Sequence, residues 1–176
     1  CTIVDSLNTL SSVYGEYTPS TNEAVFRDEV VLENTDFTLN TDYLRYNTDT
    51  KIAYFNGPTT IVSDSGRIES TRGVYDTGND VGILLDRSVV FNRRGTVTAD
   101  SIFYDKHAFF TEGFGSMILC DTINKANLYG EYGFLNDSTE YAFATYRAWL
   151  EDYSRKDTLY MAADTLEMIS RKDSLS

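Results

Sequence analysis

The 176-residue chain has two prolines, two cysteines and one histidine, and each scarcity excludes something. Pro19 and Pro58 both fall just after a strand signal, so no proline-rich linker divides the chain. His107, in the turn-like run Tyr104-Asp105-Lys106-His107, has no second histidine or cysteine cluster with which to build a zinc site or a nucleophile–base pair. Cys1 and Cys120 lie far apart and at different phases of the pattern described below, so no bridge between them is expected. Cys120, in Met117-Ile118-Leu119-Cys120, reads as a small buried hydrophobe, and Cys1 reads either as a lipid-modified first residue or as a fragment boundary. Basic residues number 15 against 27 acidic ones, a net charge of −12. That balance argues against nucleic acid, which needs clustered Lys and Arg, and against attachment to anionic lipid. No apolar run approaches the roughly 20 residues of a membrane helix, and no signal peptide is visible. Gly-x-Ser-x-Gly, phosphate-loop and dinucleotide motifs are missing too. No cofactor, no metal and no catalytic constellation is expected, and the chain reads as a non-enzyme.

What the chain has instead is aromatic and periodic. Thirteen tyrosines and ten phenylalanines accompany abundant Thr and Ser, which is strand composition. Tyr17, Tyr46, Tyr75 and Tyr104 recur every 29 residues, and Tyr132 follows 28 later. An Ala-x-Phe pattern ends nine residues after the first two tyrosines, at Phe26 and Phe55, and Gly82-Ile83-Leu84 holds the same place next. Seven residues before the tyrosines stand Leu10, Leu39, Ile68 and Val97. A fixed period of this size marks units that stack to bury a continuous core. Two residues before the tyrosine the column reads Gly15, Leu44, Gly73, Ile102, Gly130 and, in the last unit, Leu166, so small and large alternate as interdigitating rungs require. The unit can therefore also be read as a pair of rungs.

Within each unit the local period is two, as in Phe37-Thr38-Leu39-Asn40-Thr41, and turn signals such as Asn56-Gly57-Pro58 separate the strands. The predicted fold is all-β: an open jellyroll or solenoid-like stack of antiparallel strands with a repeat of about 29 residues. The predicted organisation is one array over residues 1–176, with a partial rung at 1–17 and rungs near 18–46, 47–75, 76–104, 105–132 and 133–168. The chain thus reads as starting inside a unit, as a piece of a longer protein would. Residues 140–152 have some helical spacing but are read as strand from the repeat phase, and about seven extra residues near Tyr153 to Asp157 as an enlarged turn.

Asp42, Asp100 and Asp164 recur in one column. About two rungs, or 9–10 Å by sheet spacing, would separate them, too far to share a calcium ion, so a turn or capping role is expected. The apolar columns have two readings: a filled core, or a trough that takes up acyl chains at about 0.8 kcal/mol per buried methylene. On the second reading the lipid-binding residues are Phe26, Leu39, Leu44, Phe55, Ile68, Val97 and Ile102.

One motif goes further. Thr41 to Tyr46 followed by Ala53-Tyr54-Phe55-Asn56-Gly57, and Ala99 to Tyr104 followed by Phe110-Thr111-Glu112-Gly113, resemble the organic-solvent-tolerance A family, the OstA-like or LptA-like proteins; Ala163 to Met168 matches again without the tyrosine. The resemblance covers essentially the whole chain. It implies a β-jellyroll folded into a V with an apolar inside. It also implies a Gram-negative periplasmic bridge that carries lipopolysaccharide or a related glycolipid, with association at the outer membrane. Its members join edge to edge, which implies pairing with the chain itself and with other bridge components. The competing expectation is a structural or adhesive β-solenoid that binds protein or carbohydrate on its outer face.

Overall fold

A computed structural model describes residues 1–170. They form one 15-stranded antiparallel sheet with no helix among the described residues. The strands are β1 (Thr2–Val4), β2 (Thr9–Ser11), β3 (Tyr14–Thr18), β4 (Glu23–Glu33), β5 (Phe37–Asn47), β6 (Ile52–Ser63), β7 (Gly66–Asp76), β8 (Val81–Leu85), β9 (Ser88–Phe91), β10 (Gly95–Ala99), β11 (Ser101–Asp105), β12 (Phe110–Asp121), β13 (Ala126–Asn136), β14 (Tyr141–Asp152) and β15 (Leu159–Ile169). Residues 141–152 are strand, as the phase predicted, and residues 153–158 form the enlarged turn.

Each 29-residue unit is two long strands, and each strand bends at its middle. On alternate strands the bend is a bulge with backbone in the left-handed region: Asp28 and Glu29 in β4, Gly57 in β6, Asp86 between β8 and β9, Gly115 and Ser116 in β12, Tyr146 and Arg147 in β14. The pairing register shifts at the bulges within β4, β6, β12 and β14. A bulge adds one unpaired residue and turns the strand, so stacked bulges fold the sheet along a line. Gly57, with φ of 119°, occupies backbone that a side chain rarely adopts. One wing of the folded sheet contains β3, β8, β11 and the halves of the long strands that carry the tyrosines. The other contains β1, β2, β9, β10 and the remaining halves.

Pairing aligns the sequence columns. In the first wing Tyr17, Ala24, Tyr46, Ala53, Tyr75, Gly82 and Tyr104 are successive cross-strand partners, and Thr111, Leu135, Ala142 and Met168 continue them. Large rings thus face small residues on the next strand, which lets each ring lie over its neighbour. Tyr132 is outside this column: it pairs with Phe114 and Thr145, because the turn between β12 and β13 is two residues longer than the one between β6 and β7. Gly130 is displaced for the same reason, and Gly133 takes its column place. Tyr17 does belong to the column, but on edge strand β3 it is 44% exposed rather than interior.

Candidate functional site

The second wing supplies the most regular feature of the interior. Ile3, Leu10, Leu32, Leu39, Ile61, Ile68, Val90, Val97, Leu119, Leu128, Leu150 and Met161 are paired one to the next across the sheet. Every rung contributes one aliphatic side chain and no polar one, so an uninterrupted hydrocarbon stripe runs the length of the stack. Against it the first wing sets Phe26, Leu44, Phe55, Leu84 and Ile102, which are likewise cross-strand neighbours with Gly73 interposed. Adding a Cβ at Gly73 would bring it to 2.7 Å from the Ile83 carbonyl oxygen, so that position is fixed as glycine by the close approach of the Phe55 ring and the next strand.

The seven sequence-predicted site residues therefore lie together. Phe26, Leu44, Phe55 and Ile102 line one wing and Leu39, Ile68 and Val97 the other, each no more than 5% exposed. They face one another across a closed core.

Closure is achieved at the mouth, where the turns of the two wings meet. Near the chain start, the turn between β1 and β2 reaches across to the first wing. Asn8 Nδ2 donates to the Tyr46 hydroxyl at 2.7 Å, that hydroxyl donates to Asp5 at 3.0 Å, and Lys51 Nζ lies 2.9 Å from the same carboxylate. Burial works to raise the Asp5 pKa, but the Leu7 and Asn8 backbone N–H groups with Lys51 and Tyr46 outweigh it and hold it at about 2. Burial and the adjoining Asp5 push the Tyr46 hydroxyl up to about 12. The charge on Asp5 and the proton on Tyr46 are thus both fixed across the neutral range, and the latch is permanent there.

A second latch closes the other end. Asn92 Nδ2 donates at 3.1 Å to Asp137, and Arg94 Nη2 donates to Asp121 at 2.6 Å and to the Ser170 hydroxyl at 2.9 Å. Burial raises the Asp137 pKa, while Asp121 is held low: backbone and side-chain hydrogen bonds from Asn124 and Arg94 overcome its burial. Among the described residues Arg94 Nε and Nη1 find no hydrogen-bond partner although they are buried, and Glu140 stands 3.7 Å from Nη1. Between the latches the Phe37 ring crosses the mouth to meet Tyr75 edge-on at 5.0 Å.

Sequence reasoning passed over these closing residues. Asn8, Asn34, Asn92 and Asp137 all stand in turns between strands, where Asn and Asp are common for turn formation alone, so residue type did not single them out. The recurrent Asp42, Asp100 and Asp164 lie on the outside of the fold line. Asp42 and Asp100 are two rungs apart as expected, but each rung is two strands, so they stand four strand spacings or about 19 Å apart rather than 9–10 Å. Arg87 Nη1 pairs with Asp100 at 3.0 Å, so this column brackets the bend. His107 is an exposed turn residue 3.3 Å from Asp80, and Cys1 and Cys120 are unbridged. Among the described residues no three His, Cys, Asp or Glu side chains gather as metal ligands would.

The outer faces carry aromatic groups of their own. Phe110, Phe134, Tyr141 and Phe143 form a ring cluster outside the first wing, with Phe134 and Phe143 4.5 Å apart. Outside the second wing Tyr129 and Trp149 stack at 3.8 Å.

Folded wings, a unit of two strands in about 29 residues and an apolar interior define an open antiparallel β-jellyroll. The model of the OstA-like protein family matches residues 1–42 and again 29–100, and the chain belongs to that family. In structure it resembles LptH of Pseudomonas aeruginosa, the LptA-homologous periplasmic component of that organism's lipopolysaccharide transport device. The TM-score is 0.50 at 17% identity, over 56% of this chain and 75% of LptH, which shows a shared fold. No curated protein matches the chain.

Proposed function

We propose that this chain is a non-enzymatic periplasmic carrier for lipopolysaccharide or a related glycolipid, holding acyl chains between its wings as part of a bridge to the outer membrane. The observation that carries the reading is the aliphatic stripe from Ile3 to Met161, polar at no rung. Membership of the OstA-like family and the likeness to LptH support the same cargo class. In the closed state Phe26, Leu39, Leu44, Phe55, Ile68, Val97 and Ile102 make the core, so loading parts the wings and exchanges side-chain contacts for acyl contacts. Each methylene then buried contributes about 0.8 kcal/mol against that cost.

Edge pairing supplies the bridge. Strand β15 pairs with β14 alone among the described strands, leaving its far edge free, and Leu159, Tyr160, Met161 and Ile169 are exposed along it. At the other end β1 and β3 are edge strands. Such edges recruit strands from other chains. Light scattering over a concentration series should show head-to-tail oligomers, reduced by a proline at Ile3 or Leu10; a strictly monomeric protein at high concentration would contradict this.

A photo-crosslinker at Leu39, Ile68 or Val97 is expected to capture lipopolysaccharide. The aromatic clusters on the outer faces favour one rival, a scaffold that binds protein or carbohydrate outside. Lipid captured only at outward Arg45 or Glu69, or nowhere, would decide for the rival.

A further inference from the structure

Between the two latches the mouth is incompletely filled. A cleft of about 260 Å³ opens there beside the Asn92–Asp137 latch, with Val90, Phe91, Tyr104 and Phe109 as its apolar lining and Lys106, His107 and Asp137 among its polar groups. Beneath it a void of about 10 Å³ shares Val90, Phe91, Tyr104 and Lys106 and continues to Phe37, Ile61, Ile68 and Tyr75. Ile61, Ile68 and Val90 are three consecutive members of the aliphatic stripe. The cleft therefore lies one side-chain layer from the hydrocarbon interior at this point, and the packing between them is imperfect, whereas the flanking turns are tied across by hydrogen bonds.

We infer that this gap is a lateral port through which one acyl chain of the glycolipid cargo passes into the interior. The inference rests on the carrier reading above and adds where the cargo crosses the wall. Phe109 marks the lip. Its ring is 56% exposed on the turn between β11 and β12, and its backbone, with φ of 54°, is in the left-handed region that bulky residues avoid. An aromatic ring held outward in strained backbone beside an apolar cleft offers a first contact to a hydrocarbon chain. Lys106 Nζ is 3.9 Å from Asp80, a loose pairing that leaves it able to turn toward an anionic headgroup as the chain inserts. The lining thus suits an amphiphile, apolar within, with Lys106 at a polar rim that it shares with Asp137.

Benzoylphenylalanine placed singly at Phe91, Phe109, Val97 and Met161, with purified lipopolysaccharide as the probe, tests this. The port requires crosslinks at Phe91, Phe109 and Val97. Crosslinks at Val97 and Met161 with silence at Phe91 and Phe109 would overturn the port, because cargo would then load from the open β15 end, and would leave the carrier reading standing. Silence at all four sites would overturn both. As an independent measure, Phe109→Glu at this exposed turn is expected to slow loading of fluorescent lipopolysaccharide about tenfold. A strand-rich circular dichroism spectrum verifies folding, and an unchanged loading rate in the folded variant would count against the port.

Discussion

Between β4 and β8 most large rings point inward, Tyr43 and Tyr54 excepted; between β11 and β14 most of them point outward. Phe26, Tyr46, Phe55 and Tyr75 are buried in the first region, Tyr46 and Tyr75 facing Ala24, Ala53 and Gly82 on adjacent strands and Phe26 and Phe55 facing Gly15, Leu44 and Gly73. In the second, the same columns read Thr111, Leu135 and Ala142, and Gly113, Gly133 and Ala144. Met117 lies over Gly113, where an added Cβ would stand 2.7 Å from its Cγ, so one flexible side chain fills the space that two rings fill elsewhere. The aromatic residues displaced from that interior, Phe110, Phe134, Tyr141 and Phe143, assemble outside. One backbone pattern thus accommodates a wide core and a narrow core, and the width is set by which face of the strand carries the ring.

The comparison can be broken most directly by truncating one ring from each region. Phe55→Ala should cost about 3–5 kcal/mol, the cost of deleting a fully buried ring. Phe134→Ala should cost clearly less, since it forfeits ring–ring contacts of about 0.5–1.5 kcal/mol each on a solvated face. Urea denaturation that ranks the two equally, or in reverse order, would refute the division.

Overpacking the narrow region is the next test. Gly113→Ala drives a methyl into Met117 and Ala99 and should destabilise by about 1–3 kcal/mol. Were it neutral by thermal melting, the second region would have slack that the closed geometry denies.

Latch chemistry gives a third, pH-dependent difference between the ends. The folded Asp5 pKa of about 2 lies below its ordinary value of 3.8. A lowered acid contributes stability that is complete above the ordinary pKa and is lost as pH falls through the folded one. Melting temperature should therefore drop between about pH 4 and pH 2, with a shallower drop in Asp5→Asn. Asp137 at the other latch is shifted upward by burial, so its charged form is disfavoured by folding and protonation relieves that cost. Asp137→Asn removes that relief and should make the acid drop in melting temperature steeper.

The smallest effect is expected on the fold line. Arg147 pairs with Glu131 at 2.8 Å on the surface, and Arg147→Ala should cost under about 1 kcal/mol, vanishing in high salt.

The columns were legible in sequence because cross-strand pairing converts a fixed spacing into a line of contacts. Tyr46, Tyr75 and Tyr104 needed only their 29-residue interval to be placed together, and Leu39, Ile68 and Val97 theirs. The fold line was less visible. Asp28, Gly57, Asp86 and Gly115 also recur every 29 residues, yet their chemistry differs, and only a shared left-handed or bulged backbone unites them. Tyr132 misled because identity at nearly the right spacing outweighed a two-residue lengthening that alternation alone cannot detect. The latches were illegible for another reason: Asn8 with Tyr46, and Asn92 with Asp137, are contacts between wings, and nothing in a local period records which turns face each other.

The central claim is that lipid contacts the inner stripe and not the outer face, and methyl-labelled NMR tests it directly. With Ile, Leu and Val methyl groups labelled and lipopolysaccharide titrated in, the inner methyls of Leu39, Ile61, Ile68, Val90 and Val97 should shift or broaden, while those of outward Val74 and Ile83 stay in place. Perturbation confined to Val74 and Ile83, with the stripe unmoved, would contradict the account.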